Sequence, residues 1–200
     1  DSYIFVLAVN SQIQARTLEE FLALVRSRPG QMTYASGNTT GVVGGAMMTA
    51  IGNLRMEHVP YRSTPPALTD VIAGRVDCII VDVASSRAFL QEGRLRALGI
   101  TSAQRTPLMP DMPTLNEAGL RGFELLSFMG VVGPARMPPE IVTAFNTHMR
   151  KVWETPEASR RLAEVGIELE VSTPEEFGAF IREQIAFWAR QARAAGIEPE

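Results

Sequence analysis

Residues 32–41 read Met-Thr-Tyr-Ala-Ser-Gly-Asn-Thr-Thr-Gly, and this stretch is the most informative about the fold. A short β-type run, Met32 to Ala35, leads through a turn into an apolar segment rich in glycine, Val42 to Ile51, which we predict to be a helix. At such a turn the first N–H groups of the helix have no partner within it, and the helix dipole places positive charge there. A small anion is therefore a natural ligand, although an ordinary helix cap has the same composition.

Strand and helix signals alternate on both sides of this turn. A capping box at Thr17 to Glu20 predicts a helix that ends before Pro29, and the apolar run Val76 to Val81 is typical of a strand buried on both faces. The other predicted elements here are strands at 3–9, 54–59 and 97–101 and helices at 66–73 and 84–92. This alternation predicts a doubly wound α/β domain with a parallel sheet. Ligands bind at the carboxyl ends of such strands, where residues 35–41, residues 59–63 and Asp82 would gather.

From Thr106 onward the sequence is rich in proline and offers little sheet. We predict one strand, Phe123 to Val132, and a short helix, Thr114 to Ala118. Two long amphipathic helices follow, with apolar stripes from Ile141 to Val152 and from Phe177 to Trp188. Such stripes are typical of core surfaces, and a single strand supplies little for them to pack against.

Composition excludes several classes of function. Apolar residues make up 46% of the 200 residues and charged residues 20%, as in soluble globular proteins, and the net charge of -3 with scattered arginines argues against nucleic acid as a partner. The longest apolar runs are shorter than the roughly 18 residues of a transmembrane helix. His58 and His148 lack further metal ligands at useful spacing, and no nucleotide-binding glycine motif occurs. We therefore predict neither a metal nor a cofactor.

A series of short motifs runs along nearly the whole chain. They are Gly30-x-Met32-Thr33-Tyr34-Ala35-Ser36, His58-Val59-Pro60-Tyr61-Arg62, Pro66-Ala67-Leu68-Thr69-Asp70, Gly74-Arg75-Val76-Asp77, Gly93-Arg94-Leu95-Arg96-Ala97-Leu98, Thr101-Ser102-Ala103-Gln104-Arg105, Pro110-Asp111-Met112-Pro113-Thr114, Glu117-Ala118-Gly119, Gly122-Phe123-Glu124 and Ala194-Ala195-Gly196-Ile197. In order and spacing the series resembles the solute-binding receptors of tripartite tricarboxylate transporters, which are periplasmic binding proteins of the Bordetella-uptake-gene type.

The resemblance implies a type II periplasmic-binding-protein-like α/β fold, in which two hinged lobes enclose a small carboxylate. It implies that residues 11–98 form one complete doubly wound lobe, and that residues 1–10 and 99–200 supply hinge strands and the C-terminal part of an incomplete second lobe. About the first hundred residues of the family are lacking, and since the sequence opens on Asp1 we expect a cut or processed product. The implied function is periplasmic capture of a carboxylate or dicarboxylate for a membrane permease, without catalysis.

The predicted solute-binding residues combine the glycine-rich turn with the two later strand ends. They are Ser36, Gly37, Asn38, Thr39, Thr40, Tyr61 and Asp82. The polar residues of the turn could only cap the next helix, and Asp82 could only cap the helix after its own strand. The resemblance places an acid facing the cleft at Asp82, where it would accept from a hydroxyl, an amine or a bound water.

Two functions of other classes remain open. An α/β hydrolase-type enzyme could use Cys78 or Ser36 as its nucleophile and His58 as its base, although no nucleophile elbow is present and no acid is placed to orient the histidine. Alternatively, a truncated receptor without solute binding could act as an oligomeric interaction module. Self-association would then cover the surface left by the missing part of the second lobe.

Overall fold

The computed structural model describes residues 2–164 and 166–197, which form an α/β fold around two sheets. In chain order the strands are β1 (Ser2–Tyr3), β2 (Phe5–Asn10), β3 (Met32–Ser36), β4 (Met56–Pro60), β5 (Cys78–Asp82), β6 (Leu95–Ile100), β7 (Ser127–Phe128) and β8 (Ile167–Glu168). The helices are α1 (Leu18–Ser27), α2 (Thr39–Gly52), α3 (Thr64–Ile72), α4 (Val83–Gln91), α5 (Pro139–Trp153), α6 (Pro156–Glu164) and α7 (Pro174–Ala194). The α/β class predicted from the alternation is confirmed.

The larger sheet has the order β4-β3-β5-β2-β6 and is mixed rather than wholly parallel. β3 pairs in parallel with β4 and β5, whereas β2 runs antiparallel to both β5 and β6. The direction of β2 follows from where the chain enters the sheet, since Phe5 lies opposite Asp82 and Val9 opposite Cys78. The chain arrives at the carboxyl edge of the parallel strands and has to run back across the sheet. The expectation of a wholly parallel sheet was therefore wrong for this strand.

The first ten residues divide between the two sheets. We predicted that residues 1–10 and 99–200 supply hinge strands and the C-terminal part of a second lobe. Phe5–Asn10 lies in the interior of the larger sheet with every residue buried, and Ser2–Tyr3 pairs in the smaller sheet. The division into a lobe at 11–98 and a second lobe stays a prediction.

Helices cover both faces of the larger sheet. On one face, apolar residues of α1 and α2 pack with the segment 115–125 against β2, β3 and β5, and Phe21 and Met48 are inaccessible to solvent. On the other face, Leu68 and Val71 of α3 pack with the start of α4. Since burial of a side chain of this size stabilises by roughly 1.5–3 kcal/mol, these two layers hold the strand ends in place.

The smaller sheet, β7-β1-β8, has strands of two residues each and supports little core. No residue of α5, α6 or α7, which the structure describes in full, is buried, and Phe145 and Ile185 are more than half exposed. Arg87 of α4 joins this part to the larger sheet by donating to the carbonyls of Ala163 and Glu164 at the end of α6. None of the helices in the described ranges has both the length and the apolar character that crossing a membrane requires.

Three predicted elements of the second half differ from the structure. The strand at Phe123 to Val132 shrinks to Ser127–Phe128, because Phe123 and Leu125 instead cover the core of the larger sheet. Thr114 forms an isolated β-bridge with Ile100 and residues 115–118 form turns rather than a helix, although the Thr114 hydroxyl and Glu117 carboxylate exchange capping bonds with each other's N–H groups. Helix α6 was not predicted, despite a Thr155-Pro156 start signal.

Candidate functional site

The carboxyl ends of three parallel strands meet at one edge of the larger sheet. β3 ends at Ser36, β4 at Pro60 and β5 at Asp82, and each strand leads into a helix that begins at that same edge. The N–H of Tyr61 donates to the Ser36 carbonyl over 2.8 Å, which ties the first two ends together. The structure thus brings together the three segments that the predicted site requires.

Gly37 allows the start of α3 to approach the turn that leads into α2. A Cβ atom built on Gly37 would lie 2.4 Å from the backbone nitrogen of Thr64 and 2.5 Å from its Cα. Any side chain at this position would therefore displace the start of α3. The Asn38 amide also donates to the Thr64 hydroxyl over 3.4 Å, so the amino-terminal ends of two helices meet here.

The first turn of α2 offers neutral donors to an anion. The Asn38 side chain caps the helix by accepting from the Gly41 N–H over 2.8 Å. The N–H groups of Thr39 and Thr40 precede the helical hydrogen-bond ladder, so the helix itself supplies them with no acceptor. Asn38 and Thr39 are exposed, and the first turns of α2 and α3 carry no acidic residue. Two helix dipoles and a row of uncharged donors can bind a small anion without a cationic side chain.

Ser36 lies beneath this turn rather than on its surface. Its side chain is 1% exposed, and its Oγ is 2.7 Å from Nε2 of His58. The His58 ring stacks on Tyr34, with 4.8 Å between ring centroids and 11° between planes. Burial lowers the pKa of His58 below its usual 6.5, which favours the neutral ring. A buried, paired hydroxyl supports the turn, so direct contact with a solute falls first to the exposed Asn38 and Thr39 and the half-buried Thr40.

The side chains of Asp82 and Tyr61 already have partners. Asp82 caps α4, accepting from the Ser85 N–H over 2.7 Å, and keeps its second oxygen for other contacts. The Tyr61 hydroxyl donates to Asp70 over 2.7 Å, and Arg75 pairs with the same carboxylate. These bonds, that of Tyr61 foremost, hold the pKa of Asp70 below its usual value. Contact of Asp82 and Tyr61 with a solute stays a prediction.

The geometry of the enzyme alternative is incomplete. Cys78 is fully buried in β5, and burial raises the pKa of its thiol far above the usual range, so it is a core residue rather than a nucleophile. Ser36 and His58 do form a hydroxyl–imidazole pair, but within the described residues no carboxylate hydrogen-bonds to the imidazole, and the Ser36 hydroxyl is inaccessible. In the same ranges no three His, Cys, Asp or Glu side chains gather as metal ligands do.

A separate apolar groove lies in the second half of the chain. It has a volume of about 730 Å³ and lies between the loop 129–137, α5, the segment 170–173 and the first turns of α7. Val132 is 75% exposed and Phe145 51%. The groove is distant in sequence from the predicted site and belongs to a surface that this chain leaves uncovered.

Sequence reasoning missed two features of the site. His58 was considered as a metal ligand and as a catalytic base, although its place two residues before the end of β4 puts it beside Tyr34 and Ser36. The helix after β4 was predicted, but its start was not recognised as a neighbour of Gly37. The parallel pairing of β3 with β4 would have indicated both features. It places His58 opposite Tyr34, and it brings the residues that follow the two strands to the same edge of the sheet.

Comparison with known proteins identifies the family. A model described as the tripartite tricarboxylate transporter family receptor matches residues 1–197. A Pseudomonas protein from the tcbD-tcbE intergenic region is 35% identical over 188 residues, covering 92% of this chain and 56% of that protein. Protein BugT of Bordetella pertussis is 27% identical over 197 residues, covering 96% of this chain and 60% of BugT. The chain thus spans little more than half the length of these relatives.

A solved structure confirms the fold at the level of the family. The Rhodopseudomonas palustris protein Rpa4515, whose structure was solved with adipate, superposes with a TM-score of 0.88 at 28% identity, covering 100% of this chain and 67% of that one. The predicted α/β fold of the periplasmic-binding-protein type, of which this chain forms a part, is confirmed. The chain therefore belongs to the receptor family of the tripartite tricarboxylate transporters.

Proposed function

We propose that the chain captures a small carboxylate or dicarboxylate in the periplasm and presents it to the membrane permease of a tripartite transporter, without transforming it. The observation that carries the proposal is the meeting of two helix starts at Gly37. The backbones of residues 37 and 64 lie so close there that no side chain would fit on residue 37. Membership of the receptor family supports the same conclusion. The adipate in the related Rhodopseudomonas structure makes a dicarboxylate the first solute to test.

The proposed binding energy comes from oriented neutral donors. Each helix start contributes about 0.3–1 kcal/mol to an adjacent anion and up to about 2 kcal/mol when partly buried. Hydrogen bonds to a charged group add about 1.5–3 kcal/mol each. Asp82 would repel a bare carboxylate, so it favours a solute that presents a hydroxyl or a bound water on that side.

One lobe alone should bind weakly. Association costs at least about 4 kcal/mol in lost freedom of motion, which offsets much of what two helix starts and a few hydrogen bonds provide. We therefore expect a Kd on the order of 1 mM for this chain, equivalent to about 4 kcal/mol. In a protein of the relatives' full length, closure of a second lobe over the solute would add the remaining contacts.

The test is a titration followed by amide NMR, which detects millimolar binding. Adipate, succinate, malate and acetate are added to the whole chain, and we expect the Asn38, Thr39 and Thr40 amide signals to shift with saturation. Asn38→Ala should weaken binding, because it removes the cap and the link to Thr64. Thr143→Ala, an exposed position on α5, is the matched control and should leave binding unchanged. If these signals do not shift with any of the acids at concentrations well above about 1 mM, the proposal is wrong.

The apolar groove favours one second candidate, an oligomeric interaction module. Exposed Val131, Val132 and Phe145 line a concave surface that water solvates poorly, and a second copy could cover it. Sedimentation velocity distinguishes the two functions. Tight self-association together with no solute-induced shifts would favour the module, and a monomer that binds adipate would exclude it.

A further inference from the structure

We propose that His58 is a positioning residue of the solute site: it holds the Ser36 hydroxyl beneath the binding turn, and its protonation makes solute affinity rise as the pH falls. The inference rests on the proposed function and deepens it by coupling the same site to protons.

Two hydrogen bonds join Ser36, the last residue of β3, to β4 and to the residue that follows β4. Its Oγ lies 2.7 Å from Nε2 of His58, and its carbonyl accepts from the Tyr61 N–H over 2.8 Å. The Ser36 Cβ is 3.4 Å from the place a Cβ would occupy on Gly41, so this side chain underlies the first turn of α2. Because Ser36 is 1% exposed, water cannot readily replace the imidazole as its partner.

The orientation of the imidazole is fixed from the other side. The His58 ring stacks on Tyr34, and the Tyr34 ring in turn contacts α2 at Gly45, where a Cβ would lie 2.1 Å from Cε2 of the ring. His58 as a whole is exposed on the edge strand, while its Nε2 faces the buried hydroxyl. Water can therefore deliver a proton to the ring without disturbing the core.

Protonation changes both the charge and the direction of the hydrogen bond. A neutral imidazole has one nitrogen free to accept, so Nε2 can accept the Ser36 hydroxyl proton. In the imidazolium both nitrogens donate, so Nε2–H donates to Ser36 Oγ and the hydroxyl proton becomes free for another acceptor. The protonated His58 ring then also places a positive charge beside Ser36, the residue directly before the turn at 37–40. An anion at residues 37–40 stabilises this state, and by linkage a proton on His58 strengthens anion binding by the same factor.

Within the described ranges no charged side chain pairs with His58, and burial is the cause of the lowered pKa of its ring. α2, which covers this face, contains no Asp, Glu, Lys, Arg or His. β3 presents the Tyr34 phenol, whose pKa is raised by burial, so it stays neutral. Glu57 precedes His58 on β4 and by strand alternation faces the opposite side, where Asp70 of α3 pairs with Arg75, which follows that helix. α7 carries charged residues but packs on α2. A bound anion is therefore the natural partner of a charged His58.

The first test compares adipate affinity for wild type and His58→Gln near pH 5 and near pH 8, below and above the usual histidine pKa of 6.5. Glutamine can still hold the Ser36 hydroxyl but does not titrate. On going from the higher to the lower pH, we expect the adipate affinity of wild type to rise on the order of tenfold more than that of His58→Gln. The protonation of adipate itself is common to both proteins and cancels.

The outcomes separate the two proposals. Identical pH profiles in wild type and His58→Gln would overturn the role of His58 and leave solute binding standing. If no carboxylate binds at either pH, both proposals fail. A steeper profile in wild type, together with weaker binding by His58→Ala at both values, supports the positioning role.

A second measurement does not depend on affinity. Burial lowers the pKa of folded His58 below its unfolded value of 6.5, so the unfolded chain takes up the proton more readily. The stability of the solute-free protein should be unaffected above pH 6.5 and fall as the pH drops below it, and saturating adipate should reverse part of the loss. His58→Gln should lack this component. An unfolding midpoint with the same pH dependence in both proteins would contradict the coupling.

Discussion

Replacing Gly37 by alanine tests the geometry on which the solute site depends. The new methyl group would lie 2.4 Å from the Thr64 nitrogen and 2.5 Å from the Ser63 carbonyl carbon, whereas ordinary contacts begin at 3.4 Å. The obstructing atoms are backbone, so the start of α3 would have to move by about 1 Å. Overpacking of this kind costs about 1–3 kcal/mol, which for a chain of this length lowers the unfolding midpoint by roughly 2–12 °C. Separating the two helix starts should also weaken adipate binding about two- to thirtyfold.

The matched control is Gly178→Ala, in the interior of α7. Its Cβ would meet only the mobile end of Arg182, at 3.7 Å, and alanine favours a helix over glycine by about 0.5–1 kcal/mol. The two glycine-to-alanine changes should therefore shift the midpoint in opposite directions, as measured by circular dichroism during heating. If Gly37→Ala unfolds at the wild-type temperature and binds adipate as tightly, the two helix starts do not depend on their close approach and the reasoning is refuted.

Three further outcomes follow from the described contacts. Cys78 should resist a thiol reagent in the native protein and react on unfolding, and simple esters should not be hydrolysed; rapid native labelling would revive the enzyme alternative. Tyr61→Phe should lower stability only slightly, because the bond that it loses goes to a carboxylate at the surface, and it should change adipate affinity less than Asn38→Ala does; a larger loss of affinity would place the hydroxyl on the solute. If the chain self-associates through the apolar groove, Phe145→Glu should weaken that association at least tenfold in sedimentation velocity while Thr143→Glu does not, and equal effects of the two changes would show that the groove is not the contact surface.

Local signals in the sequence predicted elements that are stabilised by their own residues. The Thr17 hydroxyl accepts from the Glu20 N–H as the capping box requires, although the Glu20 carboxylate accepts from the Arg16 N–H instead of the Thr17 N–H. The capping box of α7, Thr173 with Glu176, is complete in both directions. Such signals act within four residues of one another, so no knowledge of tertiary structure is needed to read them.

Tertiary contacts decided what the sequence left open. The apolar residues of 123–132 suit a strand equally well, but Leu125 donates its N–H to the Thr101 carbonyl and fills the core of the larger sheet. The direction of β2 depends on where the preceding residues lie, which no periodicity reveals. At the site, Asn38 caps α2 by a bond to the Gly41 N–H three residues away, whereas the pairing of Ser36 with His58 depends on strand register. The roles of the predicted site residues stay predictions, which the variants above test.

A single residue, Ile4, separates β1 in the smaller sheet from β2 in the larger one. Ile4 is 2% exposed, and its carbonyl accepts the Val83 N–H over 3.0 Å, next to Asp82 at the start of α4. Because this connection is short and hydrogen-bonded, it gives the two sheets little freedom to move relative to each other. Any reorientation of one sheet against the other requires a change in the backbone torsion angles of residues 3–5. Such a rotation would pull directly on the Val83 amide. The hydrogen-exchange rate of the Val83 amide therefore measures how rigidly the smaller sheet is connected to the larger one.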